Sequence, residues 1–348
     1  MGKRLQETGI TPRAILTTTF LALNIMALVS YVASLPLGLY LFFTPDGSQL
    51  SQGSLHRLHL HLIFWLSVAI PGPLNIGGVY LSLLMVYGVC FVVAWLGPAE
   101  RFVTSMKKAF NQPLRGLLSN FLAVMPIVSA ISLLLTLSII ALQDWVGVET
   151  GEISFENPYV GLFSLAYAPI SEEVGFRLVP LGLTVALSLW WRAWNRGASR
   201  RELLKAIPLS LLHPSEAKRR LGVEGLSKAE WAMLLTSSLA FGLSHIMDSI
   251  GWRVGKVTSS SMVGMVLGLS YLRYGIHAPI LIHWFFNYYL YVGDGFFPVY
   301  GPMIWFLHLL LGLLAISLWS VEWVSRSSIG DYLKGLLKKG GMPREALS

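Results

Sequence analysis

Charged residues and cysteine are both scarce in this sequence. Only 13% of the 348 residues are charged, whereas 54% are hydrophobic and the mean hydropathy is +0.61. A chain that is apolar along most of its length is not typical of a soluble protein with a polar surface. The single cysteine, Cys90, excludes an internal disulfide and a cysteine-based metal site, and we predict that it packs inside an apolar helix. The composition therefore predicts an integral membrane protein.

Apolar runs long enough to cross a bilayer occur eight times. The first is too long for a signal-peptide core and has no small-residue cleavage site behind it, so we predict that it is retained. The predicted fold class is all-α, a polytopic membrane helix bundle with about eight transmembrane helices. The runs cover residues 13–43, 77–96, 117–142, 158–191, 229–248, 257–274, 277–293 and 301–324.

The basic residues are not spread evenly along the chain. A net charge of +8 could suggest a nucleic-acid partner, but lysine and arginine concentrate in alternate loops, as in membrane proteins with basic cytoplasmic loops. This distribution predicts a multi-pass protein with both termini in the cytoplasm, the bilayer as its partner and no nucleic acid. The loop that fits the pattern least well is 248–256, with Asp248, Arg253 and Lys256. The basic segments are the N-terminus, 97–116, 192–228 and the C-terminal tail; the neutral or acidic ones include 143–157 and 294–300.

One further apolar stretch, residues 55–73, would invert the topology downstream if it crossed the membrane. We therefore predict that it is an interfacial or re-entrant segment. It contains His56, His59 and His61. On a helix His56 and His59 would share a face and His61 would not, so we predict interfacial histidines and no metal site here.

The span at 158–191 carries Glu172, Glu173 and Arg177. A charge at the bilayer centre costs on the order of 2.5–3.5 kcal/mol on insertion scales, so these residues require an explanation. Glu173 and Arg177 are four residues apart in the favourable order for an ion pair, which could serve only to lock helices together. Glu172 has no partner on its own helix and should be protonated or face water, which makes it a candidate general base.

Two other predicted spans supply polar groups at helical spacing. Phe241 and His245 are four residues apart, and so are His283 and Asn287. One histidine or asparagine in a membrane helix is more often a hydrogen-bonding group between helices than a functional residue. Contributions from three spans together indicate a functional site.

The ordered set E-E-x-x-x-R at 172–177, F-x-x-x-H at 241–245 and H-x-x-x-N at 283–287 resembles the CPBP family of intramembrane proteases. That family includes the type II CAAX prenyl endopeptidases, which are called Rce1-like. The resemblance covers about 160–293 and departs from the usual family pattern at Val174-Gly175, at Leu178 and in the extra His277. We accordingly divide the chain into N-terminal transmembrane helices of unassigned role (1–157), a protease-like catalytic core (158–293) and a C-terminal helix with a basic tail (294–348).

The resemblance implies a hydrolase that cleaves a peptide bond of a membrane-anchored or lipidated substrate, as in CAAX processing. Our hypothesis, which matches the roles that the resemblance implies, is that Glu172 and His245 activate water while His283 and Asn287 stabilise the oxyanion. Glu173, Arg177 and Phe241 are predicted to support them. An alternative role for Arg177 is to receive the C-terminal carboxylate of a substrate.

The sequence leaves open whether the site holds a metal and whether the protein is an enzyme or a binder. Glu172, His245 and His283 could hold a catalytic zinc in a metalloprotease-like site, and the family has been described both as metal-dependent and as metal-free. The lack of an H-E-x-x-H arrangement favours a site without a cofactor. The rival functions are a catalytically silent membrane scaffold or immunity protein and a proton-coupled transporter, for which the inverted-repeat pattern is missing.

Overall fold

The computed structural model describes residues 12–247 and 251–326. The basic N-terminal residues before Pro12, Asp248 and the basic tail after Arg326 lie outside the described residues. The structure is 76% helical, which confirms the all-α prediction. Its elements are α1 (Pro12–Phe42), α2 (Pro45–Ser51), β1 (Ser54–Ile63), β2 (Leu66–Asn75), α3 (Ile76–Leu96), α4 (Phe102–Ala109), α5 (Pro113–Leu117), α6 (Phe121–Trp145), α7 (Pro158–Glu173), a π-helical turn (Val174–Leu178), α8 (Pro180–Trp194), α9 (Arg200–Leu212), α10 (Pro214–Arg220), α11 (Lys228–Met247), α12 (Gly255–Tyr274), α13 (His277–Trp284), a second π-helical turn (Phe285–Tyr289), α14 (Leu290–Phe296) and α15 (Gly301–Arg326).

Each predicted span corresponds to a long helical segment. Within the described residues, five segments are long and apolar enough to cross a membrane by length and composition: Ile15–Phe42, Ile76–Leu96, Phe121–Trp145, Pro158–Trp194 and Gly301–Ser320. The remaining segments, α11, α12 and α13 with α14, are shorter, more polar or interrupted by a π-helical turn. Two of them, α11 and α13 with its π-helical turn, carry the polar motifs that the sequence singled out. The protein is therefore an integral membrane protein built as a helix bundle.

Two hydrogen bonds show which loops lie at the same end of the bundle. Arg253 N–H donates a hydrogen bond to Thr150 O at 2.9 Å, so the described part of the 248–256 loop lies beside the acidic 143–157 loop. At the opposite ends of α6 and α12, Tyr274 Oη donates to Leu118 O at 3.0 Å. These contacts place the loop that fitted the charge pattern least well on the acidic side. That the basic side faces the cytoplasm stays a prediction.

The N-terminal helices pack around α13. Trp284 is fully buried, and its ring lies 6.1 Å from Tyr31 of α1, 5.9 Å from Tyr87 and 5.5 Å from Phe91 of α3, measured between ring centroids. Large aromatic rings bury much apolar area and have few rotamers, so this cluster fixes the helix that carries His283. Cys90 is also buried in α3, as predicted.

The segment predicted to be interfacial or re-entrant is a β-hairpin. β1 and β2 pair antiparallel, with Leu58 opposite Ile70 and Leu60 opposite Val68. The placement of His56 and His59 on one helical face was therefore wrong, because side chains alternate along a strand and His59 lies two residues from His61. The hairpin begins and ends at the same end of the bundle, where Ile76 N–H donates to Gly53 O at 3.0 Å, so it adds no crossing to the predicted topology.

Candidate active site

The ion pair predicted from the four-residue spacing is present at the junction of α7 and the first π-helical turn. Arg177 Nη1 lies 3.1 Å from Glu173 Oε1, and both side chains are completely buried. Arg177 Nη2 also donates to Gly264 O at 3.3 Å, and the guanidinium lies 4.3 Å from the centre of the Phe241 ring. Both charges are thus removed from solvent and held by neighbouring helices.

The burial of Arg177 favours the supporting role over the alternative of binding a substrate terminus. A guanidinium that receives the carboxylate of a substrate must present a free pair of N–H groups. The side chain of Arg177 has no exposed surface, and both terminal nitrogens are near protein oxygens, of Glu173 and of Gly264. Both roles of Arg177 stay predictions.

Glu173 also orients His283. The Nδ1 atom of His283 lies 2.8 Å from Glu173 Oε1, and a carboxylate paired with arginine can only accept, so Nδ1 carries a proton. The other ring nitrogen, Nε2, lies 3.7 Å from Glu172 Oε2 and 3.3 Å from Asn287 Nδ2. One buried carboxylate therefore fixes which nitrogen of His283 faces the other polar groups.

Glu172 has very different surroundings from Glu173. Its side chain is 23% exposed, and among the described residues its nearest ionisable partner is His283 at 3.7 Å, beyond hydrogen-bond distance. The structure thus contains the locked carboxylate and the open carboxylate that the sequence predicted. An open carboxylate next to an imidazole can accept a proton from water, which is the requirement for a general base.

His245 contacts the rest of the site through Phe241. Its Nδ1 donates to the carbonyl of Phe241 at 2.8 Å, which leaves Nε2 with a lone pair in the neutral ring. The Phe241 ring makes edge contacts with both His245 and His283, with centroids 4.9 Å and 5.4 Å apart. Within the described part of the chain no hydrogen bond or ion pair joins His245 directly to Glu172.

Two of the three helical segments that carry the motifs contain a π-helical turn at the site. One, Val174–Leu178, directly follows Glu173, and the other, Phe285–Tyr289, contains Asn287. Such turns often occur at functional sites because they re-aim side chains without ending the helix. Pro180 lacks the N–H that would bond to Phe176 O, and Ser237 Oγ donates to that carbonyl instead. The sequence contains no signal for the π-helical geometry.

Sequence reasoning missed the hairpin residues that contact α7. His61 is hydrogen-bonded to Ser171, the residue before Glu172, and Tyr167 Oη donates to the carbonyl of His59. The alternating leucines and histidines of 58–61 were a signal for a strand, because side chains with a period of two suit a half-buried strand. No signal in the sequence pairs that strand with α7.

The predicted alternative of a zinc held by Glu172, His245 and His283 stays a prediction. Among the residues that the structure describes, no group of three or more His, Cys, Asp or Glu side chains lies close enough together to hold a metal ion. The Nδ1 atoms of both histidines are bonded to protein oxygens, at Phe241 and Glu173, and this arrangement leaves each Nε2 available to a water molecule or a metal.

Comparison with known families supports the resemblance found in the motifs. Residues 154–289 match the family model described as type II CAAX prenyl endopeptidase Rce1-like, and this range contains all seven motif residues. Neither a curated protein nor a solved structure matches the chain. The family match implies a membrane protease.

Proposed function

We propose that this integral membrane protein, whose residues 154–289 are Rce1-like, is an intramembrane endopeptidase that uses water activated by Glu172 and His245. Its substrate is a membrane-anchored or lipidated protein or peptide, with a prenylated C-a-a-X end as the first candidate. The observation that supports the proposal most strongly is the contrast between two adjacent carboxylates that both lie near His283. Glu173 is buried and bonded, whereas Glu172 is open and free to take a proton.

In the proposed reaction Glu172 accepts a proton from water while the oxygen attacks the scissile carbonyl. The new C–O bond pushes the carbonyl electrons onto oxygen, and this oxyanion accepts hydrogen bonds from the N–H groups of Asn287 and protonated His283. When the intermediate collapses, the C–N bond breaks and Glu172 returns its proton to the leaving amine. Every proton and electron pair is supplied by water and the named side chains, so the proposed step needs no metal or other cofactor.

The hydrogen bond between His283 and Glu173 determines which ring nitrogen of His283 could serve as a donor to the oxyanion. To donate to the oxyanion, His283 needs a proton on Nε2, because its Nδ1–H is committed to Glu173 at 2.8 Å. In the structure Nε2 lies 3.3 Å from Asn287 Nδ2, an N–H group that can only donate to it, so this contact opens when both groups turn to the oxyanion. Both donors would then reach the same developing oxyanion from one face of the helix.

His245 is the proposed partner of Glu172 on the water. Its bond to the Phe241 carbonyl fixes the tautomer, so Nε2 can accept a hydrogen bond from a water molecule held by Glu172. Two acceptors on one water would orient a lone pair of that water toward the carbonyl. Phe241 maintains the spacing, since its ring touches both histidines.

The location of the site limits the substrate. The cluster is formed by a helix that is apolar and long enough to cross the membrane and by two other motif helices. A peptide bond that reaches it must come from a chain already held in or at the bilayer. A protein C-terminus with a prenyl group satisfies this condition, because the lipid anchors the adjoining peptide at the membrane.

The test is cleavage of a prenylated C-a-a-X peptide by the purified protein in lipid vesicles, with Glu172→Ala as the paired control. We expect cleavage by the wild type, none above background by the variant, and no loss with a chelator. Loss of cleavage on chelation would contradict the metal-free mechanism. A well-folded wild-type protein that cleaves neither this peptide nor a non-prenylated membrane peptide would instead favour a catalytically silent scaffold.

A further inference from the structure

The hairpin contacts the helical segment that carries Glu172 at three successive points. The carbonyl of His59 accepts from Tyr167 Oη, His61 N–H donates to Ser171 Oγ at 3.1 Å, and Phe64 N–H, just after β1, donates to Gly175 O, in the π-helical turn after α7, at 2.9 Å. The contacts are two and then three residues apart along the hairpin and four residues apart each time along the helical segment, which is about one helical turn of 5.4 Å per step. The strand therefore runs alongside the helix that carries Glu172.

Gly175 lets the strand approach this closely. A Cβ atom at position 175 would lie 2.5 Å from the Cβ of His61 and 3.3 Å from its carbonyl carbon. Any larger residue would have to displace the strand backbone, because the atoms that it meets are not at the end of a flexible side chain. The hairpin is thus fitted to the π-helical turn next to the site.

Ser171 fixes the ring of His61. Its Oγ accepts from His61 N–H and lies 2.8 Å from His61 Nδ1, compared with 3.4 Å from the carbonyl of His59. The hydroxyl proton therefore has its better acceptor in Nδ1, which leaves the ring proton of neutral His61 on Nε2. Ser171 itself is 1% exposed, so it serves as an anchor and is too enclosed to act as a nucleophile.

His61 lies next to the open side of the site. Its anchor Ser171 directly precedes Glu172, and Gly175, three residues beyond Glu172, packs against the His61 backbone, so the ring is held beside the segment that carries Glu172. His61 is half-buried, and no hydrogen bond from another described residue engages its Nε2. A fixed N–H donor beside an open carboxylate is suited to hold a peptide carbonyl near the attacking water.

We propose that the β1–β2 hairpin forms one wall of the substrate site and that His61 is a substrate-binding residue, which donates from Nε2 to a backbone carbonyl of the peptide at Glu172. This inference rests on the proposed endopeptidase function. It assigns a role to a segment outside residues 154–289, and so extends the substrate site into the N-terminal part of the chain.

The first test concerns the position of the hairpin and does not depend on activity. In a Cys90→Ser background, which removes the single natural cysteine, the pair His61→Cys and Gly175→Cys should form a disulfide under mild oxidation. A Cβ at position 175 would lie 2.5 Å from that of residue 61, so the strand must move outward by about 1–2 Å to reach the separation of about 3.5–4.5 Å typical of a disulfide. The matched control is His56→Cys with Gly175→Cys, which should not cross-link. Equal cross-linking in both pairs, or none in the first, would overturn the inference.

The second test concerns binding of the substrate. We expect His61→Ala to raise KM for a membrane peptide about tenfold, the effect of losing one hydrogen bond of about 1.4 kcal/mol, with kcat little changed. His61→Gln retains an N–H at similar reach and should recover part of the loss, whereas His56→Ala on the same strand should behave as wild type. Wild-type kinetics in His61→Ala beside an inactive Glu172→Ala would overturn this inference and leave the endopeptidase standing. Absence of cleavage by the wild type would contradict both this inference and the proposed endopeptidase function.

Discussion

The two sides of the charged cluster differ in how completely the protein encloses them. We call Glu173 and Arg177 the closed side, because neither is exposed to solvent. We call Glu172, His245 and Asn287 the open side, because Glu172 has a 23% exposed side chain and the other two are half-buried. His283 joins the two sides, since it contacts Glu173 through Nδ1 and lies near Glu172 and Asn287 through Nε2. The comparison supports the proposal that the buried ion pair sets the geometry and that the open groups, together with His283, do the chemistry.

The largest effect should follow a change on the open side. Glu172→Ala removes both the acceptor of the water proton and the donor to the leaving amine, so we expect a loss of cleavage of about 10⁴-fold or more. The melting temperature should change little, because Glu172 makes no hydrogen bond with another residue that the structure describes, and its contact with His283 is 3.7 Å long. Cleavage rate and thermal unfolding should be measured on the same preparation. A variant that unfolds early would place Glu172 on the closed side.

A change on the closed side should act first on stability. Arg177→Met leaves Glu173 buried without its partner, and breaking a buried pair from one side costs about 3–5 kcal/mol. Adding Glu173→Gln should recover part of this free energy, since no uncompensated charge is then left. Lys218→Met is the matched control, because it breaks a second buried pair, with Glu230 at 2.6 Å, outside the site. It should lower stability while the activity of each folded molecule stays normal. Wild-type stability in Arg177→Met would contradict this assignment.

A smaller effect is expected for Asn287, which supplies one of the two proposed oxyanion donors. Loss of such a donor typically lowers kcat by about 10²- to 10³-fold, so Asn287→Ala should retain a trace of activity where Glu172→Ala retains almost none. The measurement is kcat of the two variants at saturating peptide, and we expect the higher value for Asn287→Ala. Equal and mild losses at both positions would refute the division of roles.

Metal removal should have the smallest effect. The proposed chemistry needs only water and side chains, so incubation with a chelator followed by dialysis should leave the cleavage rate unchanged. The control is the cleavage rate of the same sample after zinc has been added back. A rate that falls on chelation and returns with zinc would move Glu172 and the histidines into a metal site and contradict the proposed mechanism.

The sequence could predict the helices and the motif residues because both depend on local spacing. A span needs a run of apolar residues, and the pairing of Glu173 with Arg177 follows from one turn of helix. The difference between Glu172 and Glu173 was also predictable, since adjacent residues on a helix face different directions. The match to an Rce1-like family model at residues 154–289 confirmed the resemblance based on these motifs.

The hairpin, the π-helical turns and the orientation of His283 depend on contacts between distant parts of the chain. His61 and Ser171 are 110 residues apart, and so are His283 and Glu173, so no local pattern pairs them. The histidine-rich segment was read with a helical period although its leucines and histidines alternate. The sequence leaves two roles open for Arg177 because it does not reveal that Phe241 and Gly264 enclose the residue. Gly175 was noted only as a departure from the family pattern, and the strand beside it supplies the reason.

The most direct measurement compares Glu172→Gln with Glu173→Gln, two isosteric changes at adjacent positions. Cleavage of a membrane-anchored peptide and thermal unfolding would be recorded for both in the same lipid. We predict that Glu172→Gln folds with wild-type stability and does not cleave, and that Glu173→Gln is destabilised and cleaves in proportion to what remains folded with His283 in place. Wild-type cleavage by Glu172→Gln, or equal stability losses in both variants, would contradict the division into an open catalytic side and a closed supporting side.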